Sequence, residues 1–290
     1  MFSQIVMLNY PLFYGLIGLF SLLIGSLLNV FIYRLPTILK TELLKECECL
    51  LYLKISSQRV VNLFLPRSFC PACKQTIKAC HNIPLLSFVW LRGRCYHCQY
   101  PIAVRYPFVE ALSLGFGLLA SWHFGFQPIL IFALLFLWIN LVMFFIDLEH
   151  QLLPDNLTLT LLWLGLIANT QSLFTSLPNA VLSAAGAYLF LWLFIQLFYW
   201  ITGKIGMGHG DFKLFAAFGA WFGWQQLPFI LFAASVTGAV IGLSYIALLH
   251  KPRDTPIPFG PFLCCAGILS LFYGPELVHW YLRSFSPMFS

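Results

Sequence analysis

Gly206-Met207-Gly208-His209-Gly210-Asp211-Phe212-Lys213-Leu214 sets three glycines, a carboxylate and a lysine between two apolar runs. Glycine allows backbone conformations and close approaches that a Cβ forbids. A carboxylate beside a membrane segment is costly, so it marks a functional site unless it is an ordinary interfacial charge at a helix end. A second such group lies upstream in Phe145-Ile146-Asp147-Leu148-Glu149-His150-Gln151-Leu152-Leu153-Pro154-Asp155. Whether Asp147 and Asp211 share one membrane face depends on how the chain crosses between them.

The 290 residues are 60% hydrophobic and 9% charged, which excludes a soluble globular domain and predicts an all-α polytopic membrane protein. A net charge of +6 raises the question of nucleic acid. The basic residues fall in membrane loops, so the expected partner is membrane lipid and no nucleic acid. Residues 1–9 carry no basic side chain. The run from Pro11 to Ile32 is too long for a signal-peptide core and reads as a first spanning helix.

Apolar runs near spanning length predict about eight transmembrane helices: 11–32, 108–125, 128–147, 157–174, 178–201, 212–226, 227–249 and 259–281. The sixth is the weakest, at roughly 22 Å of helix against a core of about 30 Å. Three parts are expected: a first transmembrane helix (1–33), a cytoplasmic metal-binding module (34–107) and a seven-helix membrane core (108–290).

With the first helix exiting into the cytoplasm, fifteen of the sixteen Lys and Arg fall on that side and only Arg283 does not. This obeys the positive-inside rule. It also places Asp147, which ends the third span, and Asp211, which opens the sixth, at one depth on the cytoplasmic side.

Cys70-Pro71-Ala72-Cys73 precedes Cys95-Tyr96-His97-Cys98 by 21 residues. Two C-x-x-C turns at about this separation read as a tetrahedral structural zinc site. Two disulfides or free thiols are the alternative, and a cytoplasmic location disfavours disulfides. Four sulfurs leave no open coordination position, so no metal catalysis is expected. His81 and His97 read as bystanders. Cys47, Cys49 and Cys80 fit no ligand spacing, and Cys264 and Cys265 read as packing residues in a span. Lys40 to Arg59 reads as one surface helix, with Glu42, Glu46 and Glu48 as a solvated face.

Together these segments resemble the type IV prepilin peptidases, membrane aspartyl proteases of the GxGD type. The similarity lies in Gly25-Ser26-Leu27-Leu28-Asn29-Val30-Phe31-Ile32-Tyr33-Arg34-Leu35-Pro36 and Asn82-Ile83-Pro84-Leu85-Leu86-Ser87. It continues in Leu91-Arg92-Gly93-Arg94-Cys95, Arg105-Tyr106-Pro107-Phe108-Val109-Glu110, Leu153-Pro154-Asp155, Gly206 to Leu214 and Pro256-Ile257-Pro258-Phe259-Gly260-Pro261-Phe262. The resemblance implies Asp147 and Asp211 as the catalytic pair, with Gly208 and Gly210 as motif glycines. It implies zinc on Cys70, Cys73, Cys95 and Cys98, in a module associated with methyl transfer. It further implies cleavage of the basic leader of type IV prepilins and pseudopilins at the cytoplasmic face of the bacterial inner membrane. N-methylation of the new terminus by S-adenosyl-L-methionine follows, in service of type IV pili or type II secretion. No glycine-rich strand-turn-helix marks a methyl-donor site.

For a carboxylate pair the chemistry is a shared proton: one group takes a proton from water while the other donates to the scissile carbonyl. Helix ends favour the anion on Asp211 and the neutral acid on Asp147. Asp155 is the alternative to Asp147, although it reads as the start of the fourth span. Glu149 and His150 read as loop-facing, and Glu110 is expected to pair with a basic group. Lys213 is expected to hold a carboxylate or lipid headgroup, and His209 fills the motif's variable position. A proton or cation transporter would need these carboxylates near mid-membrane and an internal repeat. A zinc-bearing scaffold gives no reason for a GxGD beside an interfacial aspartate.

Overall fold

The computed structural model of the chain describes residues 10–51, 62–63, 68–78, 83–203, 207–249 and 257–285. Cys80, His81, Asn82, Gly206, Pro256 and the basic positions Lys54, Arg59, Arg67, Lys204, Lys251 and Arg253 lie outside them. The described residues are helical apart from turns and two isolated bridges in the cysteine region. The helices are α1 (Tyr10–Leu51), α2 (Leu86–Trp90), α3 (Arg105–Phe124), α4 (Pro128–His150), α5 (Asp155–Thr170), α6 (Leu177–Thr202), α7 (His209–Phe222), α8 (Leu227–Leu249) and α9 (Gly260–Phe285).

Five stretches are long and apolar enough to cross a membrane: Pro11–Cys47, Pro128–His150, Leu177–Thr202, Leu227–Leu248 and Gly260–His279. The other three expected spans fall on α3, α5 and α7 and do not reach that standard. α5 and α7 have only 16 and 14 residues, and α3 carries Arg105, Glu110 and His123. Among the described residues there are therefore five candidate spans where eight were expected. Leu227–Leu248 is largely exposed and predominantly apolar, as suits a helix facing lipid.

The chain divides into two compact units, 1–130 and 131–290. In the first, α1 packs on α3. The contact is made by small residues, as membrane helices require for close approach. A Cβ on Gly25 would lie 2.9 Å from the Glu110 Cα, and one on Gly18 would lie 3.2 Å from Leu114. Ser113 Oγ donates to the Ser21 carbonyl at 2.6 Å. The 108–125 segment thus packs on the first helix. α1 itself runs unbroken for 42 residues through Pro36. No separate surface helix begins at Lys40; residues 52–59 of that expected helix lie outside the described ones.

In the second unit α7 is the core. From Asp211 to Phe222 every residue except Lys213 is buried. α5, α6, α8 and α9 all contact it. This explains why it read as the weakest span: a helix enclosed by protein need not match the bilayer in length. Ala216, Ala217, Gly219 and Ala220 allow the approach, and a Cβ on Gly219 would lie 2.7 Å from the Ser183 carbonyl oxygen. Asn169 closes the far end of α7. Its Nδ2 donates to the carbonyls of Ala220 (2.7 Å) and Trp221 (3.0 Å), which otherwise lack helical partners. Its Oδ1 accepts the N–H groups of Phe174 and Thr175, both at 3.0 Å. Trp221 donates from Nε1 to the Leu161 carbonyl at 2.8 Å and stacks edge-on against Phe136.

Candidate active site

Asp147 lies in the last turn of α4 and Asp211 in the first turn of α7; both are buried. α4 ends because Gln151 turns into the left-handed region (φ 52°), its N–H closing on the Asp147 carbonyl at 2.8 Å. The chain then returns through Leu152-Leu153-Pro154 to start α5. α7 starts at Gly208, whose backbone is extended (φ −76°, ψ 151°). The glycine is therefore not there for a left-handed conformation.

Close contacts tie the two aspartates into one cluster. A Cβ on Gly260, the first residue of α9, would lie 2.6 Å from Asp147 Oδ2 and 3.1 Å from Leu153 Cδ1. A Cβ on Gly210 would lie 2.7 Å from Leu153 Cβ. Leu153 therefore touches the neighbours of both carboxylates. The two groups are near enough to act on each other electrostatically, and buried Cys264 of α9 senses both. The Gly260 N–H hydrogen-bonds the Asp147 carboxylate. Asp211 Oδ1 is buried with no hydrogen-bond partner among the described residues. Both glycines of the motif are placed at the pair, but the sequence missed Leu153 and Gly260. The available signal was that both lie in segments that carry the resemblance, Leu153-Pro154-Asp155 and Pro256 to Phe262.

Asp155 stands apart from the buried pair. It is exposed in the first turn of α5 and accepts an ion pair from Lys213 Nζ at 2.6 Å. Lys213 thus holds a carboxylate, as one reading of the sequence expected. Glu149 and His150 are exposed. Glu110 does not conform to expectation: its Oε2 accepts the Leu85 N–H at 2.8 Å and Ser26 also bonds it, so its partners among the described residues are not basic groups.

In the first unit the Sγ atoms of Cys70, Cys73, Cys95 and Cys98 all lie within 4.8 Å of one another. Cys70 and Cys98 are 3.8 Å apart, close to the edge, about 3.8 Å, of a tetrahedron built on 2.3 Å zinc–sulfur bonds. The donor set therefore fits zinc. Each pair of cysteines sits on the same hydrogen-bonded hairpin. Cys70 N–H bonds Gln75 O, Lys74 N–H bonds Cys70 O, and Ile77 N–H bonds Ser68 O. At equal offsets, Cys95 N–H bonds Tyr100 O, Gln99 N–H bonds Cys95 O, and Ile102 N–H bonds Gly93 O. Lys74 and Gln99 both take positive φ, 60° and 58°. The fold thus contains one knuckle twice, a repeat hidden in the sequence because only the cysteines and the closing isoleucines match. The Cys73 backbone N–H is the chief cause that lowers the Cys70 thiol to about 7, toward the thiolate a metal needs. His97 stacks on Tyr96 and is not in the cluster. Cys47 is exposed on α1.

Two family descriptions match the chain, one in each unit. Residues 19–124 match the bacterial peptidase A24 N-terminal domain, and residues 134–243 match the type IV leader peptidase family. Three proteins named prepilin leader peptidase/N-methyltransferase are similar to it over almost their whole length. The protein from Legionella pneumophila is 60% identical over 96% of this chain and 97% of its own. Those from Aeromonas hydrophila and Pseudomonas aeruginosa are 46% and 45% identical, over 94% and 91% of this chain and 95% and 92% of theirs. No solved structure matches. Matched in both units, and over nearly the full length of such relatives, the chain belongs to the type IV leader peptidase family.

Proposed function

We propose that the chain is a membrane aspartyl endopeptidase that removes the leader of prepilins and pseudopilins and then N-methylates the new terminus. Asp147 and Asp211 are its catalytic pair. The observation that carries the reading is the meeting, through Leu153, of two buried carboxylates from the end of α4 and the start of α7. One carboxylate takes a proton from water as its oxygen attacks the scissile carbonyl carbon. The other gives a proton to the carbonyl oxygen, and the resulting diol collapses with the amine leaving protonated. Because Asp147 lies against the start of α9 as well as at the end of α4, helix ends no longer separate the two roles. The pair is best treated as one group with a shared proton.

The four cysteines hold a structural zinc, which ties down a module too small for a large core of its own. S-adenosyl-L-methionine supplies the methyl group. α3, α5 and α7 complete eight crossings in the bacterial inner membrane, with the active site and the zinc module on the cytoplasmic side. That orientation rests on the distribution of Lys and Arg. The test is to incubate the purified full chain in detergent with a prepilin, add the methyl donor, and read product masses. A product shortened by the leader, then heavier by one methyl group, supports both activities. An unchanged prepilin overturns the peptidase.

A further inference from the structure

We infer that Leu153 is a positioning residue that sets the separation of Asp147 and Asp211, held in place by the Asp155–Lys213 ion pair. The inference rests on the peptidase reading above. Leu153 occupies the short return between Asp147's helix and α5. It meets two positions without side chains, Gly210 beside Asp211 and Gly260 against Asp147. Bare backbone on both sides lets one leucine act as the spacer between the carboxylates. A pair that must share a proton tolerates little change in that distance.

Two contacts keep the spacer seated. On one side the Gln151 N–H closes on the Asp147 carbonyl. On the other, Lys213, two residues beyond Asp211, reaches Asp155, two residues beyond Leu153. The ion pair therefore ties the spacer's segment to the helix that carries the second carboxylate. The charged and titratable groups around the pair include His209 and Lys213 of α7, Asp155 of α5, Cys264 of α9, and Glu149 and His150 at the end of α4. None of them is altered by a change at Leu153.

The test measures kcat, KM and the pH profile of the full chain with a synthetic peptide substrate: a short basic segment, a Gly-Phe junction and an apolar helix. Leu153→Ala is expected to lower kcat roughly 10²-fold, with KM changed less than about twofold. The two limbs of its pH profile should move closer together, because carboxylates held less tightly interact less. Leu153→Met, which keeps the volume, should recover activity to within about fivefold of the native chain. Asp155→Lys and Lys213→Asp should each cost about fivefold, and the double reversal should recover it. Unchanged kcat in Leu153→Ala, or a lower kcat with unmoved limbs, overturns the inference while leaving the peptidase intact. If Leu153→Ala does not fold, the outcome is read from the other variants. Loss in Leu153→Met as large as in a catalytic-aspartate variant, or a double reversal no better than the singles, overturns it. A native chain that leaves the peptide uncut overturns the peptidase and this inference together.

Discussion

Gly208 and Gly210 differ only by His209 between them, yet they meet different surroundings. A Cβ on Gly208 finds only Asp211 Oδ2 at 3.6 Å, an ordinary contact, whereas one on Gly210 collides with Leu153. Gly208→Ala should therefore keep cleavage within about threefold of native, while Gly210→Ala should lose about tenfold or more, since overpacking costs roughly 1–3 kcal/mol. Initial rates on a prepilin substrate, with both variants inserted to native levels, check the contrast. Asp147→Asn and Asp211→Asn should each abolish cleavage while metal content and the elution volume in detergent stay native. Full cleavage by either variant would remove the pair from the mechanism. At this scale much of the site was legible, because an acid in an apolar run announces its own cost. Leu153 lay in a segment that carries the resemblance, but a leucine beside a membrane span shows no role until its two glycine neighbours are in place.

Among the elements, α7 and the paired knuckles show where sequence patterns fail and succeed. Hydrophobic length finds helices that face lipid, such as α8, because lipid sets their length. It misjudges α7, whose surroundings are other helices and whose residues from Asp211 to Phe222, Lys213 aside, are buried. The cap on α7 is equally hidden: Asn169 lies 51 residues from Ala220. Asn169→Ala removes four hydrogen bonds to backbone and should destabilise the folded protein by about 2–4 kcal/mol, read as a lower unfolding midpoint in detergent. The knuckles were legible as a candidate metal site from spacing alone. One zinc per chain is expected by elemental analysis, and Cys95→Ser should lower it. Binding displaces protons from thiols, so affinity should weaken steadily as pH falls below 7. Metal content after dialysis across a pH series reads that directly.

For the whole molecule, the division into two units matches the two family descriptions, one ending before α4 and the other beginning within it. The proposed topology makes a sharp prediction at the ends of α4. A cysteine replacing Gln127, before α4, should react with a membrane-impermeant maleimide added from outside intact cells. One replacing Glu149 should react only after the cells are opened. The reverse pattern would turn the orientation over.

The enclosure of α7 also decides what this protein leaves alone. Its inner carboxylate sits where a short rod begins, walled by longer ones, so a neighbour drifting past in the bilayer meets only greasy flanks. Such a passer-by can be reached only if it offers slack, uncoiled backbone at the rim. On the proposed peptidase reading, a blade sheathed in this way would spare intact membrane helices, whose backbone groups are already satisfied within the helix.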